Sequence, residues 1–313
     1  MKQLKPNLFI AGAPKCGTSS VYHYLNQSRE VFMSRDKEPH FLAFNGEKKF
    51  VSVFGDQNRY NTLRRHPYPV TEEKKYQKLF KSSEDVKYAG EASTLYLYSK
   101  LAPLKIVNKY DSPDLRIIMI LRDPVERAYS QFLHHVREDL ESTDNFLEAF
   151  KNENARINNG PFWHYRKVGL YAEQVKRYYQ QFDSSKILVL KFEDFKTDFD
   201  KVKHTISSFL ELQPISEVES SEMRYNATGY PVNKSVQKVL TTLASIPFKS
   251  TFKNILPAGL INAYRGVRQK NLFKPDLDTK IKKELYAFFE EDIHQLEEIT
   301  GMNFREWKVG VEQ

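Results

Sequence analysis

Leu8-Phe9-Ile10-Ala11-Gly12-Ala13-Pro14-Lys15-Cys16-Gly17-Thr18-Ser19-Ser20-Val21-Tyr22-His23-Tyr24-Leu25 reads as a buried strand, a glycine-bounded turn holding a lysine, and a helix. Hydroxyls crowd the helix start, and apolar positions continue at Val21, Tyr22 and Leu25. The first turn of a helix offers amides without an intrahelical partner and the positive end of the macrodipole, so the stretch is predicted to be an anion cradle. Lys15 adds a full charge, and Thr18, Ser19 and Ser20 add hydroxyls. Gly12 and Gly17 have the glycine frame of a Walker-type phosphate loop, but the lysine lies inside the frame instead of after the second glycine. The loop is a relative of that motif and not a copy.

Working outward, strand and helix patterns alternate. Val86–Glu91 is a candidate strand and Leu95–Asn108 a helix. Leu115–Leu121 is an almost unbroken apolar run rich in β-branched residues, which predicts a central strand buried on both faces. It ends at Arg122, where Asp123, Pro124 and Glu126 read as a capping box with a proline start. Phe146–Arg156, Tyr171–Phe182 and Asp200–Leu210 look helical, and Ile187–Leu190 is another short strand. In the tail, Leu277, Ile281, Leu285, Phe288, Phe289, Ile293, Leu296 and Ile299 share one helical stripe stopped by Gly301. This alternation predicts an α/β fold, three-layer and P-loop-like, with a mostly parallel sheet flanked by helices and ligands beyond the carboxyl ends of its strands. Without repeats or a Pro/Gly-rich linker, residues 1–313 are expected to form a single domain. An irregular insertion at about 45–85, with short helices around Glu72–Phe80, is expected to lie over the cradle.

The 313 residues carry 48 Lys+Arg against 40 Asp+Glu, a net charge of +8, which favours anionic partners without choosing among nucleotides, acidic sugars, nucleic acid and membrane surfaces. One cysteine, Cys16, excludes an internal disulfide and suits a reducing compartment. No apolar run is long enough to span a bilayer, and Met1–Pro6 lacks the apolar core of a signal peptide; a cytoplasmic protein without an integral membrane segment is expected. The oligomeric state is left open.

Arg122 and Ser130 follow one strand as the cradle follows another, and two anion sites on adjacent strand ends suit a nucleotide phosphorylated at both ends. Here the sequence resembles the sulfotransferases, which use 3′-phosphoadenosine 5′-phosphosulfate (PAPS) as donor. Ala13–Ser20 looks like the family's 5′-phosphosulfate loop, and Leu121-Arg122-Asp123-Pro124, Arg127 and Ser130 look like its 3′-phosphate motif. Lys37-Glu38-Pro39-His40-Phe41 is similar to the segment that carries the base in the heparan-type carbohydrate branch. Ile187–Phe195 and the tail helix ending near Trp307 match the family's general layout.

The resemblance implies that Lys15 holds the bridging oxygen of PAPS, that the loop through Cys16, Gly17, Thr18, Ser19 and Ser20 binds the 5′-phosphate, and that Arg122 and Ser130 bind the 3′-phosphate. It further implies that Glu38 takes a proton from an acceptor hydroxyl or amine, with His40 as understudy, and that no metal is needed. The acceptor is expected to be carbohydrate-like, and the tyrosines and lysines of Asn45–Glu84 suggest a surface for sugars or acidic groups. Small-phenol relatives place a histidine base on a later strand, but Gly90-Glu91-Ala92-Ser93-Thr94 contains none. A late basic loop is carried over onto Arg268 and Lys270 within Arg265–Asn271, although the form of the motif differs.

Blander readings stand beside these. Arg122 could pair structurally with Asp123 or Glu126, Ser130 could be a tolerated helix serine, and Phe192 is expected to pack in the core rather than on adenine. His134 and His135 point apart on a helix and do not suit a metal. Lys37 beside Glu38 would lower its pKa and weaken it as a base. Cys16, at a helix start beside a lysine, has the setting of a reactive thiol. The competing functions are a P-loop kinase, which needs Mg²⁺ and an acidic holder, and a basic polyanion-binding module. The latter predicts salt-dependent binding without nucleotide preference, but nucleic acid is not an expected partner, because base-reading motifs are absent.

Overall fold

A computed structural model describes residues 2–44, 70–138, 140–159, 161–213, 215, 229–233, 235–237, 239–240, 259, 264, 266–267 and 270–308. Its centre is a five-stranded sheet of β3 (Val31–Met33), β5 (Tyr88–Ala92), β2 (Leu8–Gly12), β6 (Arg116–Leu121) and β7 (Ile187–Lys191), in that spatial order. Every pairing in it is parallel. Parallel strands need helical crossovers that cover both faces, so inner strands lose their alternation and become apolar throughout. Accordingly β2 and β5 are buried at all positions, and β6 at every position after Arg116. The expected α/β class with a parallel sheet flanked by helices is the one observed.

The cradle strand β2 lies in the middle, between β5 and β6. The chain leaves β2 to one side for β3 and β5, then crosses to the other for β6 and β7, so strand order switches at the carboxyl end of β2. Open α/β sheets bind ligands at such a switch.

Three elements depart most from their predicted extents, and one strand is not predicted. The helix expected from Leu95 starts at Ala102, because Ser99 Oγ accepts from the Leu101 and Ala102 amides at 3.1 and 3.2 Å and Pro103 suits the first turn. The helix from Phe146 ends at Lys151 and continues as a 3₁₀ segment over Asn152–Asn159. The tail stripe divides into Thr279–Ala287 and Glu290–Thr300, and the break turns Phe289 into the core against Phe150 while Phe288 stays exposed. The run Val31–Met33, left without an element in the sequence, is the edge strand β3.

Most of the expected insertion, residues 45–69, lies outside the described residues. Its later part is ordered. The helix Glu73–Lys78 buries Tyr76 completely, and β4 (Lys81–Ser82) pairs antiparallel with β1 (Lys2–Gln3). A second small ribbon joins β8 (Tyr230–Pro231) to β9 (Leu272–Phe273). Among the described residues no helix is long and apolar enough to cross a membrane.

Candidate active site

The cradle forms where β2 ends. The Ala13 amide bonds to the Ile120 carbonyl of β6 at 2.8 Å, and the Cys16 amide turns back to the Ala13 carbonyl at 3.3 Å. Gly17 then enters the helix Thr18–Leu25 with φ of 87°, a left-handed conformation. A Cβ there would stand 3.0 Å from the Phe192 ring, so glycine is required by both backbone and space. No side chain caps this helix and no acidic residue lies in its first turn. The helix start is therefore left without a side-chain cap or an acidic neighbour, as an anion requires, with Thr18 buried and Ser19 and Ser20 half-buried in its first turn.

Lys15 stands in the loop before this helix in a left-handed conformation, φ 69°. Burial, then the charges of Arg137 and Arg122, push its pKa down to about 7, with Glu38 opposing and Arg127 adding to the depression. Three guanidinium groups thus act on Lys15 and only Glu38 opposes them there, although Arg122 and Arg137 have carboxylates of their own in Glu126 and Glu138; an anion bound beside Lys15 would favour its charged form.

Arg122 emerges from the end of β6. Its Nη1 donates to the Lys15 carbonyl at 3.2 Å, Nη2 reaches Glu126 at 3.4 Å, and the guanidinium lies 4.7 Å from the centroid of Phe192. Its buried Nε has no protein partner. The structural pairing with Glu126 and the expected place beside the cradle are therefore both present. Asp123 accepts from the Val125 and Glu126 amides at 2.9 and 3.2 Å, as an N-cap should. The other half of the capping box does not form. Glu126 turns instead to Arg122, to Lys274 at 2.9 Å and to Lys282 at 3.8 Å, while Glu193 takes the Asp123 amide at 3.3 Å. Ser130 lies farther along the same helix and is buried.

The base segment follows β3. Glu38 and His40 both have left-handed backbones, φ 62° and 51°, and each such residue costs about 1–3 kcal/mol unless its surroundings enforce it. Burial alone would raise the Glu38 pKa, but Lys37, which donates to its carboxylate, and His40, whose Nε2 lies 3.6 Å away, hold it well below the usual range. Glu38 is thus ionised and able to accept a proton, at a reduced driving force.

Cys16 corrects one expectation. Its side chain is fully buried, beside the Pro14 carbonyl and the Tyr171 hydroxyl, and burial pushes the thiol up to about 12. The helix terminus does not activate it, and only its backbone borders the cradle. Arg268 lies outside the described residues, and Lys270 is exposed. Lys274, not singled out in the sequence, is the late cation that reaches Glu126. His135 bonds to Gln131 and to Tyr165, and among the described residues no group of three His, Cys, Asp or Glu side chains could hold a metal.

Sequence reasoning missed three charged residues. Arg137, buried near the end of its helix, carries no local signal. Arg127 is visible in the motif but has no role assigned by it; it is fully buried, donates to the Tyr165 carbonyl at 2.6 Å, and keeps Nε and Nη1 without a protein partner. Glu91 is fully buried within β5, and burial raises its pKa to about 7. A carboxylate inside an apolar strand is the signal that could have found it.

Residues 5–297 match the family described as "Sulfotransferase domain". Human carbohydrate sulfotransferase 15 is 29% identical over 269 residues, a match covering 70% of this chain and 46% of that protein. Human heparan sulfate glucosamine 3-O-sulfotransferase 3B1 is 24% identical over 306 residues, covering 97% of this chain and 65% of that protein. The chain thus spans about half the length of the carbohydrate sulfotransferases it matches. Among solved structures, a sulfotransferase from Alicyclobacillus acidocaldarius is similar with a TM-score of 0.70 and 28% identity, covering 97% of this chain and 99% of that one.

Proposed function

This chain belongs to the sulfotransferase domain family, and from that premise we propose that it moves a sulfuryl group from PAPS to a hydroxyl or amine of a carbohydrate acceptor. The observation that carries the reading is the joining of two anion-binding strand ends: Arg122 after β6 donates to the backbone of Lys15 after β2. A donor with phosphate at both ends of its nucleoside would place its 5′ end on the loop Cys16–Ser20 and its 3′-phosphate at Arg122 and Ser130. The unpartnered Nε of Arg122 and the uncapped helix start support this fit.

In the proposed reaction the acceptor oxygen or nitrogen attacks sulfur in line, and the bond from sulfur to the bridging oxygen breaks with its electron pair leaving on the nucleotide. Lys15 stabilises the charge that grows on that oxygen, and Glu38 takes the acceptor proton. Sulfuryl transfer, like phosphoryl transfer, asks the protein for alignment and electrostatics more than covalent chemistry. His40, 3.6 Å from the Glu38 carboxylate, is the residue through which Glu38 is steadied or replaced. The carbohydrate acceptor is supported by the names of the relatives.

The test supplies radiolabelled PAPS with a panel of glycans, phenols, lipids and peptides, and ATP with Mg²⁺ in parallel. Label on a glycan, reduced by about 10²–10³-fold or more with Lys15→Ala, is the expected result. Transfer of phosphate from ATP, or salt-sensitive glycan binding without any transfer, would replace this reading with a kinase or a binding module.

A further inference from the structure

Three hydroxyl groups converge on the buried side chain of Glu91. Tyr76 and Tyr96 donate to Oε1, the latter at 2.7 Å, and Ser93 donates to Oε2 at 2.7 Å. Two of these hydroxyls turn their oxygens toward the segment that follows Glu38. Ser93 Oγ accepts from the His40 amide at 3.0 Å, and Tyr96 Oη accepts from the Leu42 amide at 3.1 Å. The third donor, Tyr76, stacks its ring on Phe41 with centroids 4.3 Å apart and planes 17° from parallel. Glu38 itself bonds through its amide to the carbonyl of Ala92, the neighbour of Glu91, at 2.9 Å.

A hydroxyl rotates freely until its proton is committed. Once that proton points at a carboxyl group, its lone pairs face a fixed direction and an amide can be held there. Residues 40, 41 and 42 are each tied to a group that Glu91 orients, and of the two residues of the segment with left-handed backbones, one is His40 and the other, Glu38, lies two positions before it. A sheet interior has no need of such an arrangement, since apolar side chains would fill the same space at lower desolvation cost.

We propose that Glu91 is the positioning residue of the candidate base: through the Ser93 and Tyr96 hydroxyls it fixes the backbone of His40–Leu42, and with it the direction of the Glu38 carboxylate. The chemical meaning rests on the reading of Glu38 given above; the geometric claim does not.

The experiment measures amide hydrogen exchange, affinity for 3′-phosphoadenosine 5′-phosphate, and sulfuryl transfer in the whole chain. Glu91→Gln replaces one of the two acceptor oxygens by an NH2 donor, so the shared carboxylate that orients all three hydroxyls is lost. It is expected to raise exchange at the His40 and Leu42 amides by about tenfold or more and to lower kcat by a similar factor, while nucleotide affinity and the donor KM stay within about twofold. Ser93→Ala should loosen the His40 amide alone, and Tyr96→Phe the Leu42 amide alone. If Glu91→Gln does not fold, these two variants decide between the outcomes. Unchanged exchange at both amides, or nucleotide affinity falling in step with kcat, overturns the proposal. If the wild-type chain transfers no sulfuryl group, the function assigned to Glu38 fails, and the exchange data still decide whether Glu91 positions the segment.

Discussion

Lys15 is held in an environment that resists its charge. Its pKa, pushed to about 7 by burial and by Arg137 and Arg122, lies far below the 10.5 of an exposed lysine. The unfolded chain therefore binds more protons than the folded one between those values, and stability rises with pH across that window on account of this residue. Below about pH 7 the full penalty is present. Lys15→Met should accordingly melt higher than wild type at pH 6, by about 2–4 °C for each kcal/mol recovered, with the gap closing toward pH 10. The same variant should lose about 10²–10³-fold in kcat, the scale seen when one charge-stabilising donor is removed. Thermal melts across pH, beside a transfer assay, check both halves. A variant no more stable than wild type at pH 6 would show that the half-buried cation is not strained.

The helix Pro124–Arg137 shows how a cap can be shared among elements. Asp123 caps it from within the sequence motif, but its own amide is served by Glu193 from beyond β7. Burial raises the Asp123 pKa to about 6, against the pull of Lys282 and the cap amides. A carboxylate raised in the folded state keeps its proton longer than in the unfolded chain, so its contribution declines as pH rises from about 4 to 6. Asp123→Ala should cost about 1–2 kcal/mol by loss of the cap. Asp123→Asn should keep the acceptor and flatten that slope, which denaturant titrations at several pH values would reveal.

What the sequence disclosed follows from this difference between local and shared interactions. The strand–loop–helix at Leu8–Leu25, the strand before Arg122 and the Asp123-Pro124 helix start are dictated by neighbours in the chain, and all were legible. The destination of Glu126 was not, because Lys274 and Lys282 reach it from far along the chain. Arg137 was invisible for the same reason: its influence on Lys15 exists only after folding. The activated thiol expected of Cys16 failed because a helix terminus favours a thiolate only where solvent or a counter-ion can reach it, and this side chain faces the core.

At the scale of the molecule, the tail is bound into the site's supports. Trp307 is fully buried, stacks on Phe304 with centroids 4.2 Å apart, and donates its indole N–H to Glu193 Oε2 at 3.0 Å. The same Glu193 serves the amide of Asp123. Trp307→Ala should lower unfolding free energy by about 3–5 kcal/mol, and Trp307→Phe, which keeps most of the packing, by about 1 kcal/mol for the lost hydrogen bond. Chemical denaturation separates the two, and equal losses would assign the whole effect to the indole hydrogen bond.

The order of strands in the sheet carries a consequence for synthesis. The strand Leu8–Gly12 is made well before both of its neighbours, Tyr88–Ala92 and Arg116–Leu121. A nascent chain therefore presents an apolar strand with two open edges until Tyr88–Ala92 is made, and with one until Arg116–Leu121 follows. The strand that leads into the proposed donor cradle is, until then, in need of shelter from its own kind.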